Sequence, residues 1–270
     1  MKLIKLFAIL ALSSAVVFLN SCSDSSTDPD DNDDADYYPY AQGSIWTYSK
    51  FDLDMDNNQK VETETEETHE VTGSEQRFGR EATVVEATEE DGQPEKNYYD
   101  VEGNEKFWVT ADFVIPSEED MGSFPLPIDI PEAWIVLADR GSDKWDMMTI
   151  DIPKFTTTIE GFNVEISGTL EIDGESSGKG TQLITGTEYD TEEYRTIYKF
   201  NLSVKSTDLG ATIPVEFTLV QHYWFADGVG ISQMRLDSKT VNIDLGIFGS
   251  ISEDIEGNEA VLTSFTIASE

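Results

Sequence analysis

The sequence contains little of several residue types that would define its chemistry. It has one cysteine, two histidines and 17 basic residues against 54 acidic ones in 270 residues. A single cysteine excludes an intrachain disulfide, a cysteine metal cluster and, because it ends a leader-like segment, a thiol catalyst in the folded part.

The net charge of −37 is the strongest compositional signal. Nucleic acids and anionic lipid headgroups are poor partners for such a field, whereas cations, cationic ligands and basic protein surfaces are favoured. Solubility, or a saline habitat that screens the repulsion, explains the same excess simply. Hydrophobic and aromatic contents of 39% and 11% are ordinary, so the chain is expected to fold.

No sequence motif of nucleophilic, phosphate or zinc chemistry is recognisable. His69 is expected to be exposed in a strand rich in Glu and Thr, and His222 to lie on the strand face opposite Phe217 and Leu219. The two histidines lack the spacing of a zinc protease, and no Gly-x-Ser-x-Gly elbow accompanies His222. Carboxylate pairs are too abundant to identify a glycosidase. We therefore predict a protein without enzymatic activity and without a cofactor.

Residues 1–21 have the layout of a signal peptide. Two lysines precede an apolar stretch, Leu6 to Leu19, that is shorter than the ~20 residues needed to cross a bilayer. Leu19-Asn20-Ser21-Cys22 follows and resembles the lipobox of bacterial lipoproteins, although Asn20 departs from the commonest choice. The resemblance implies cleavage before Cys22 and lipidation of its sulfur, with palmitate-type chains that anchor the protein in a membrane. An ordinary secretory signal cleaved elsewhere is the alternative.

Residues 22–36 are predicted to form a disordered, extended tether, because they contain no large apolar residue and their charges repel one another. The aspartates resemble the export tag of surface lipoproteins in Bacteroidota, which implies the outer membrane and its cell-surface face. A solvated spacer and the periplasmic face are the alternatives. Calcium binding is not expected, because a glycine turn and a closing glutamate do not accompany these aspartates, namely Asp28, Asp30, Asp31, Asp33 and Asp34.

Apolar and polar residues alternate in the rest of the chain, most clearly over Phe162–Ile172, Tyr194–Val204 and Ile213–Leu219. This period of two is typical of strands with one buried and one wet face, and it favours antiparallel pairing. We predict one all-β domain over 37–270, built as a large antiparallel sheet system. It is an open sheet, a half-barrel or a sandwich, with at most one or two short helices and a possible seam near 116–131.

Further strands, turns and a bulge are predicted from weaker signals. Pro131 to Arg140 fits a helix or a buried strand, and the proline-rich loop 116–131 fits surface packing better than a lid. A change of parity between Trp46 and Phe51 indicates a bulge. Hairpin turns are expected at Asp56-Asn57-Asn58, Asp91-Gly92, Glu102-Gly103-Asn104, Asp173-Gly174 and Asp227-Gly228. The weaker strands are expected at 44–54, 60–71, 82–88, 97–101, 107–115, 145–152, 231–240, 241–247 and 261–267.

The spacing of Asp52, Asp54 and Asp56 resembles the opening of a calcium loop. The sixth position of that loop is not glycine, and Thr63 stands where the closing glutamate belongs. A hairpin tip is the preferred interpretation, with weak Ca²⁺ binding as the alternative.

Two segments resemble motifs of uncharacterised Bacteroidota-type envelope lipoproteins. Tyr38 to Tyr48 has the form aromatic-Pro-x-x-x-Gly-x-x-Trp-x-Tyr, and Trp224 to Gly230 has the form Trp-aromatic-Ala-x-Gly-Val-Gly. The resemblance implies a lipid-anchored β domain without an assigned activity. We interpret both motifs as structural, with Trp224 packing against Trp46. The weak candidates for ligand contact are Trp46, Tyr48, Trp224 and Phe225.

The leading functional hypothesis is a noncatalytic binding module for an apolar or glycan-like ligand or a partner protein. A structural or assembly component of the envelope is the alternative, and an enzyme acting on envelope polysaccharide is the third. An apolar cavity of a few hundred Å³ separates the first two, because binding sites are concave whereas a purely structural core is filled.

Overall fold

A computed structural model describes residues 36–89, 92–103, 105–115, 126–159, 162–206, 212–244 and 250–269. The predicted signal peptide, Cys22 and the predicted tether apart from Asp36 lie outside these ranges. So do loop residues 116–125 and the turn residues Asp91 and Asn104. The described residues all belong to one unit, Ala35–Glu270. None of their helices has the length and apolar character needed to cross a bilayer.

Strands dominate these ranges. The three strongest alternating runs lie in long strands that pair with one another along most of their length. The strands are β1 Ile45–Asp52, β2 Thr65–Arg77, β3 Arg80–Glu89, β4 Glu95–Glu102, β5 Lys106–Thr110, β6 Trp134–Asp139, β7 Lys144–Ile159, β8 Phe162–Ile184, β9 Thr187–Ser206, β10 Thr212–Ala226, β11 Gly230–Leu236, β12 Lys239–Asp244, β13 Ser250–Ile255 and β14 Asn258–Thr266. One helical turn, α1 Ala111–Val114, and one 3-10 turn, Val61–Thr63, complete the described elements.

Twelve of the strands form one antiparallel sheet in the order β6-β5-β4-β3-β2-β1-β14-β11-β10-β9-β8-β7, and β12 pairs with β13. The sheet curves until its edge strands approach each other. The Trp145 indole of edge strand β7 donates to the Val136 carbonyl of edge strand β6 at 2.8 Å, and Arg140, just after β6, pairs with Glu192 of β9 at 3.0 Å. The nearly closed, barrel-like sheet confirms the predicted all-β antiparallel class.

The sheet has two different ends. At the lower end, Asp36 is fixed to the β10–β11 turn, where its backbone N–H donates to Asp227 and its carbonyl accepts from the Gly228 N–H, both at 2.7 Å. Gly228 has a φ of 67°, so the hairpin turn predicted here is confirmed. The upper end carries α1 and the β12–β13 hairpin.

Several local predictions are corrected. The segment left open as helix or strand is strand β6, and the last residues of the predicted strand 107–115 form α1. Asp173-Gly174 is not a turn but lies inside β8, because β7 and β9 both continue their hydrogen-bonded ladders past it. An irregularity does occur at Thr47/Tyr48, but the extra residue is on β14, opposite β1.

The described end of the proline-rich loop packs into the molecule. Leu126 is buried, and Ile128 contacts the main core. This part of the loop therefore packs against the core, and the choice between surface packing and a lid stays a prediction for residues 116–125, which lie outside the described ranges.

Candidate functional site

The inward face of β1 changes from aromatic to charged along the strand. Trp46 and Tyr48 are 1% and 2% exposed. Lys50 is next in the alternation, so its side chain points to the same side of the sheet. It lies in a cross-strand row that runs Tyr223, Met234, Ala260, Lys50, Thr65 across five neighbouring strands.

A cleft of about 560 Å³ opens at this level, near the upper end of the sheet. One wall carries charged side chains from β1, β2 and β3, and the other carries apolar ones from α1, β10, β11 and β14. The residues that line it are Lys50, Phe51, Asp52, Thr63, Thr65, Glu67, Glu89, Phe113, Val114, Ile115, Gln221, Tyr223, Met234, Leu236, Asn258 and Ala260. The size matches the range of small-molecule sites in proteins.

The charged wall is built around the ammonium group of Lys50. Its Nζ lies 2.8 Å from Glu67 Oε2 and 2.5 Å from Glu89 Oε1. The other oxygen of Glu67 lies 2.5 Å from His69 Nε2. Burial tends to raise the pKa of Glu67, but the hydrogen bonds and charges of His69 and Lys50 outweigh it and lower that pKa to about 2. Glu67 is therefore ionised at every physiological pH.

His69 is 6% exposed, so the prediction that it is exposed is wrong. It is two residues from Glu67, so both side chains point inward, where the His69 ring contacts Tyr48 at a centroid distance of 4.9 Å. The sequence does not reveal the burial of His69, because the residues around it on the inward face of β2 are also polar at the level of the cleft.

The apolar wall is held in place by α1. The Tyr198 hydroxyl donates to the Val114 carbonyl at 2.5 Å, which fixes the helical turn inside the curved sheet. Phe113 then packs between Tyr99 and Tyr223, with ring centroids 5.4 and 6.3 Å away. Met234 and Ala260 continue this wall beside Tyr223.

Below the cleft the interior is filled with aromatic rings, and here the two lipoprotein-like motifs meet. The Trp46 indole donates to the Val229 carbonyl at 2.6 Å, and the Tyr48 hydroxyl donates to the Ile231 carbonyl at 2.7 Å. Phe225 is fully buried against Tyr38, Phe107 and Tyr194. These three candidates for ligand contact thus lie in the core, as the structural interpretation of the motifs expects.

Trp224, the fourth candidate, lies on the outer face. It stacks on His222 at 5.4 Å with an interplanar angle of 10°, whereas Trp46 contacts the following Val229 and Gly230. The prediction that Trp224 packs against Trp46 is therefore wrong. Trp46 contacts the last two residues of the Trp224–Gly230 motif instead.

His222 lies on the outer face, opposite Phe217 and Leu219, as predicted. Its Nδ1 is 2.8 Å from Glu193 and its Nε2 is 3.2 Å from Asp237. Burial tends to lower the pKa of His222, but the two carboxylates outweigh it and raise that pKa. Arg195 and Arg235 pair with the same carboxylates, so this network is charge-balanced and distinct from the cleft.

The three candidate calcium ligands lie in and beside the β1–β2 connection. Asp54 Oδ1 accepts the backbone N–H groups of Asp56 and Asn58, both at 2.9 Å, and Asn57 has a φ of 63°. These contacts form a tight hairpin loop, the preferred interpretation. Within the described ranges no three His, Cys, Asp or Glu side chains are arranged to hold a metal ion. Weak Ca²⁺ binding stays a prediction.

No protein-family model and no curated protein matches the chain. A proposed lipoprotein from Parabacteroides distasonis has a similar solved structure, with 12% identity and a TM-score of 0.44. A proposed exported protein with a YmcC-like fold from Bacteroides fragilis has 11% identity and a TM-score of 0.39. Both alignments cover 86% of this chain and 99% of the other. Such values assign neither a family nor an activity.

Proposed function

We propose that the protein is a lipid-anchored lipoprotein of the cell envelope whose β domain binds a glycan-like ligand in the cleft without transforming it. The leader and Cys22 support the anchor, and the acidic tether supports the outer membrane and its surface face. The cleft itself carries the binding hypothesis, because a concave site of about 560 Å³ with aromatic and polar side chains in its lining is typical of sites that hold a small ligand.

The chemistry of the cleft favours a glycan over a purely apolar molecule. Thr65 and Gln221 bring hydroxyl and amide groups to the lining, and Phe113 and Tyr223 bring aromatic rings. Aromatic surfaces with a few polar groups are typical of sites that orient a small ligand. Asp36 lies at the lower end of the sheet and the cleft near the upper end.

Binding is tested with the purified mature protein on a glycan array, followed by calorimetry of the glycans retained. Thr65→Trp places a large ring in the cleft and is expected to weaken binding by at least about tenfold. Thr68→Trp is the matched control, because Thr68 is on the same strand but faces outward. Failure of every glycan to bind, or equal effects of both variants, contradicts the proposal.

The anchor is tested by metabolic labelling with an alkyne-bearing palmitate in the native host. Label on the wild-type protein and its loss in Cys22→Ser is the expected result. Protease treatment of intact cells then separates the two faces of the outer membrane. An unlabelled, freely soluble wild-type protein contradicts the lipoprotein assignment without affecting the binding hypothesis.

A further inference from the structure

We infer that the ligand of the cleft is an amine-bearing glycan, and that its ammonium group binds between Glu67 and Glu89 in place of Lys50. This inference rests on the proposed function and names the ligand class of the same site. Three observations carry it: the excess of carboxylates in the lining, the position of Lys50, and the neutral polar groups nearby.

Carboxylates outnumber cations in the cleft. Its described lining contains Asp52, Glu67 and Glu89 against the single ammonium of Lys50. His69 lies behind Glu67 with only 8% of its side chain exposed, out of reach of a ligand that enters from above. In a chain of net charge −37, this excess opposes an anionic ligand and attracts a cationic one.

Lys50 occupies the position that a ligand ammonium would take. It bridges the two glutamates from a flexible stem, and its side chain is 34% exposed. Glu89 is 57% exposed, so it is accessible from the cleft. Glu67 is also held by His69, so it keeps its orientation when Lys50 moves away. Exchange of one ammonium for another keeps both glutamates ion-paired, and the stem of Lys50 lets the displaced ammonium turn towards solvent.

The uncharged polar and aromatic side chains of the cleft favour an amine carried by a sugar over an alkyl amine. Thr65 and Gln221 can exchange hydrogen bonds with hydroxyl groups, and each adopts both donor and acceptor roles. On the facing wall, Phe113 and Tyr223 provide the flat apolar surface on which the carbon face of a sugar ring packs. An amino sugar satisfies both walls and the carboxylates together.

The test compares a glucosamine oligomer with the fully N-acetylated oligomer of the same length by calorimetry of the mature protein. Both probes have the same backbone, but only the first is cationic at mildly acidic pH. We expect the amine form to bind at least about tenfold more tightly. The amine-bearing and neutral members of the glycan array provide the same comparison over other sugars.

Three variants locate the charge. Lys50→Met removes the internal competitor and is expected to strengthen binding of the glucosamine oligomer by about fivefold, whereas Glu89→Gln weakens it by a similar factor. Glu86→Gln is the matched control, because it removes the same charge from the outward face of the same strand. Glu89 is largely exposed, so its variant is expected to fold even where Lys50→Met does not.

The outcomes separate the two proposals. Equal or tighter binding of the N-acetylated probe, or retention of neutral or acidic glycans alone on the array, overturns the amine assignment and leaves glycan binding standing. Weaker binding by a folded Lys50→Met protein, or equal effects of Glu89→Gln and Glu86→Gln, overturns the displacement of Lys50. Failure of every glycan to bind overturns both.

Discussion

The lower and upper halves of the interior are built from the same strands but filled differently. In the lower half, β1 presents Trp46 and Tyr48, whose polar atoms donate to backbone carbonyls in the β10–β11 turn and in β11. One step further up, the same strand presents Lys50 to a cleft and two carboxylates. The rings of Trp46 and Tyr48 fill the interior, whereas the charges above them line the cleft, so we expect stability to depend mainly on the rings.

This division shows how a curved sheet supports an open site. Aromatic rings fill the narrow interior near Asp36 and the β10–β11 turn, where close packing fixes the curvature. Once the curvature is fixed there, the upper rows can carry polar side chains without losing the fold. We therefore expect substitutions of the buried rings to act on unfolding and those in the charged wall of β1, β2 and β3 mainly on pH dependence and binding.

The largest effect is expected from Trp46→Ala in the lower half. The substitution empties a fully buried site and removes the hydrogen bond to Val229, so it lowers the free energy of unfolding by about 3–5 kcal/mol. Met234→Ala in the cleft wall is expected to cost less, because Met234 is half-buried. Urea unfolding of the two variants measures the difference.

Trp46→Phe separates the ring from its hydrogen bond. The variant keeps most of the buried surface but leaves the Val229 carbonyl without the indole donor, at a cost of about 1–3 kcal/mol. Equal stabilities of Trp46→Ala and Met234→Ala would contradict the division between the halves.

The contribution of the charged wall to stability can be measured through Glu67, from the free energy of unfolding at acid pH. Its pKa falls from 4.5 to about 2 on folding, so its ionised form stabilises the folded state. That contribution is present above about pH 4.5 and is lost as the pH falls toward 2. The shift corresponds to a loss on the order of 3 kcal/mol in the free energy of unfolding.

Glu67→Gln is expected to remove this part of the acid dependence, as measured by urea unfolding between pH values of about 6 and about 3. Glu66→Gln is the matched control, because Glu66 is exposed on the outward face of the same strand. An acid profile that is the same in the wild type and in Glu67→Gln would show that the buried ion pairs do not stabilise the upper half.

Much of the fold was predictable because strand alternation is local. The runs in β8, β9 and β10 follow directly from residues at every second position, and the Asp227-Gly228 turn from its composition. The turn predicted at Asp173-Gly174 is wrong, because such a dipeptide can also lie inside a long strand when both neighbouring strands continue past it. Closure of the sheet depends on contacts between distant residues and has no local signal.

The cleft was not predicted, although one of its signals was available. Continuing the alternation of Trp46 and Tyr48 places Lys50 on the inward side, whereas the expected bulge moved Phe51 there instead. The strand that contains Glu67 and His69 is predicted to be exposed. In a sequence, polar residues on an inward strand face cannot be distinguished from polar residues on a face exposed to solvent. Phe113 was expected in a strand, and only the α1 turn directs it toward Tyr223.

The smallest effect on the free energy of unfolding is expected at His222, which lies on the outer face of the sheet at the height of the cleft. Glu193 and Asp237 raise its pKa in the folded state, so its stabilising contribution is complete below its unfolded pKa of about 6.5 and is lost as the pH rises through the folded value. For a partly exposed pair this amounts to at most about 1 kcal/mol. His222→Gln is expected to abolish that alkaline loss in urea unfolding. An imidazole of His222 that titrates by NMR at or below the ordinary histidine value would contradict this, because both carboxylates would then fail to favour its charged form over the cost of burial.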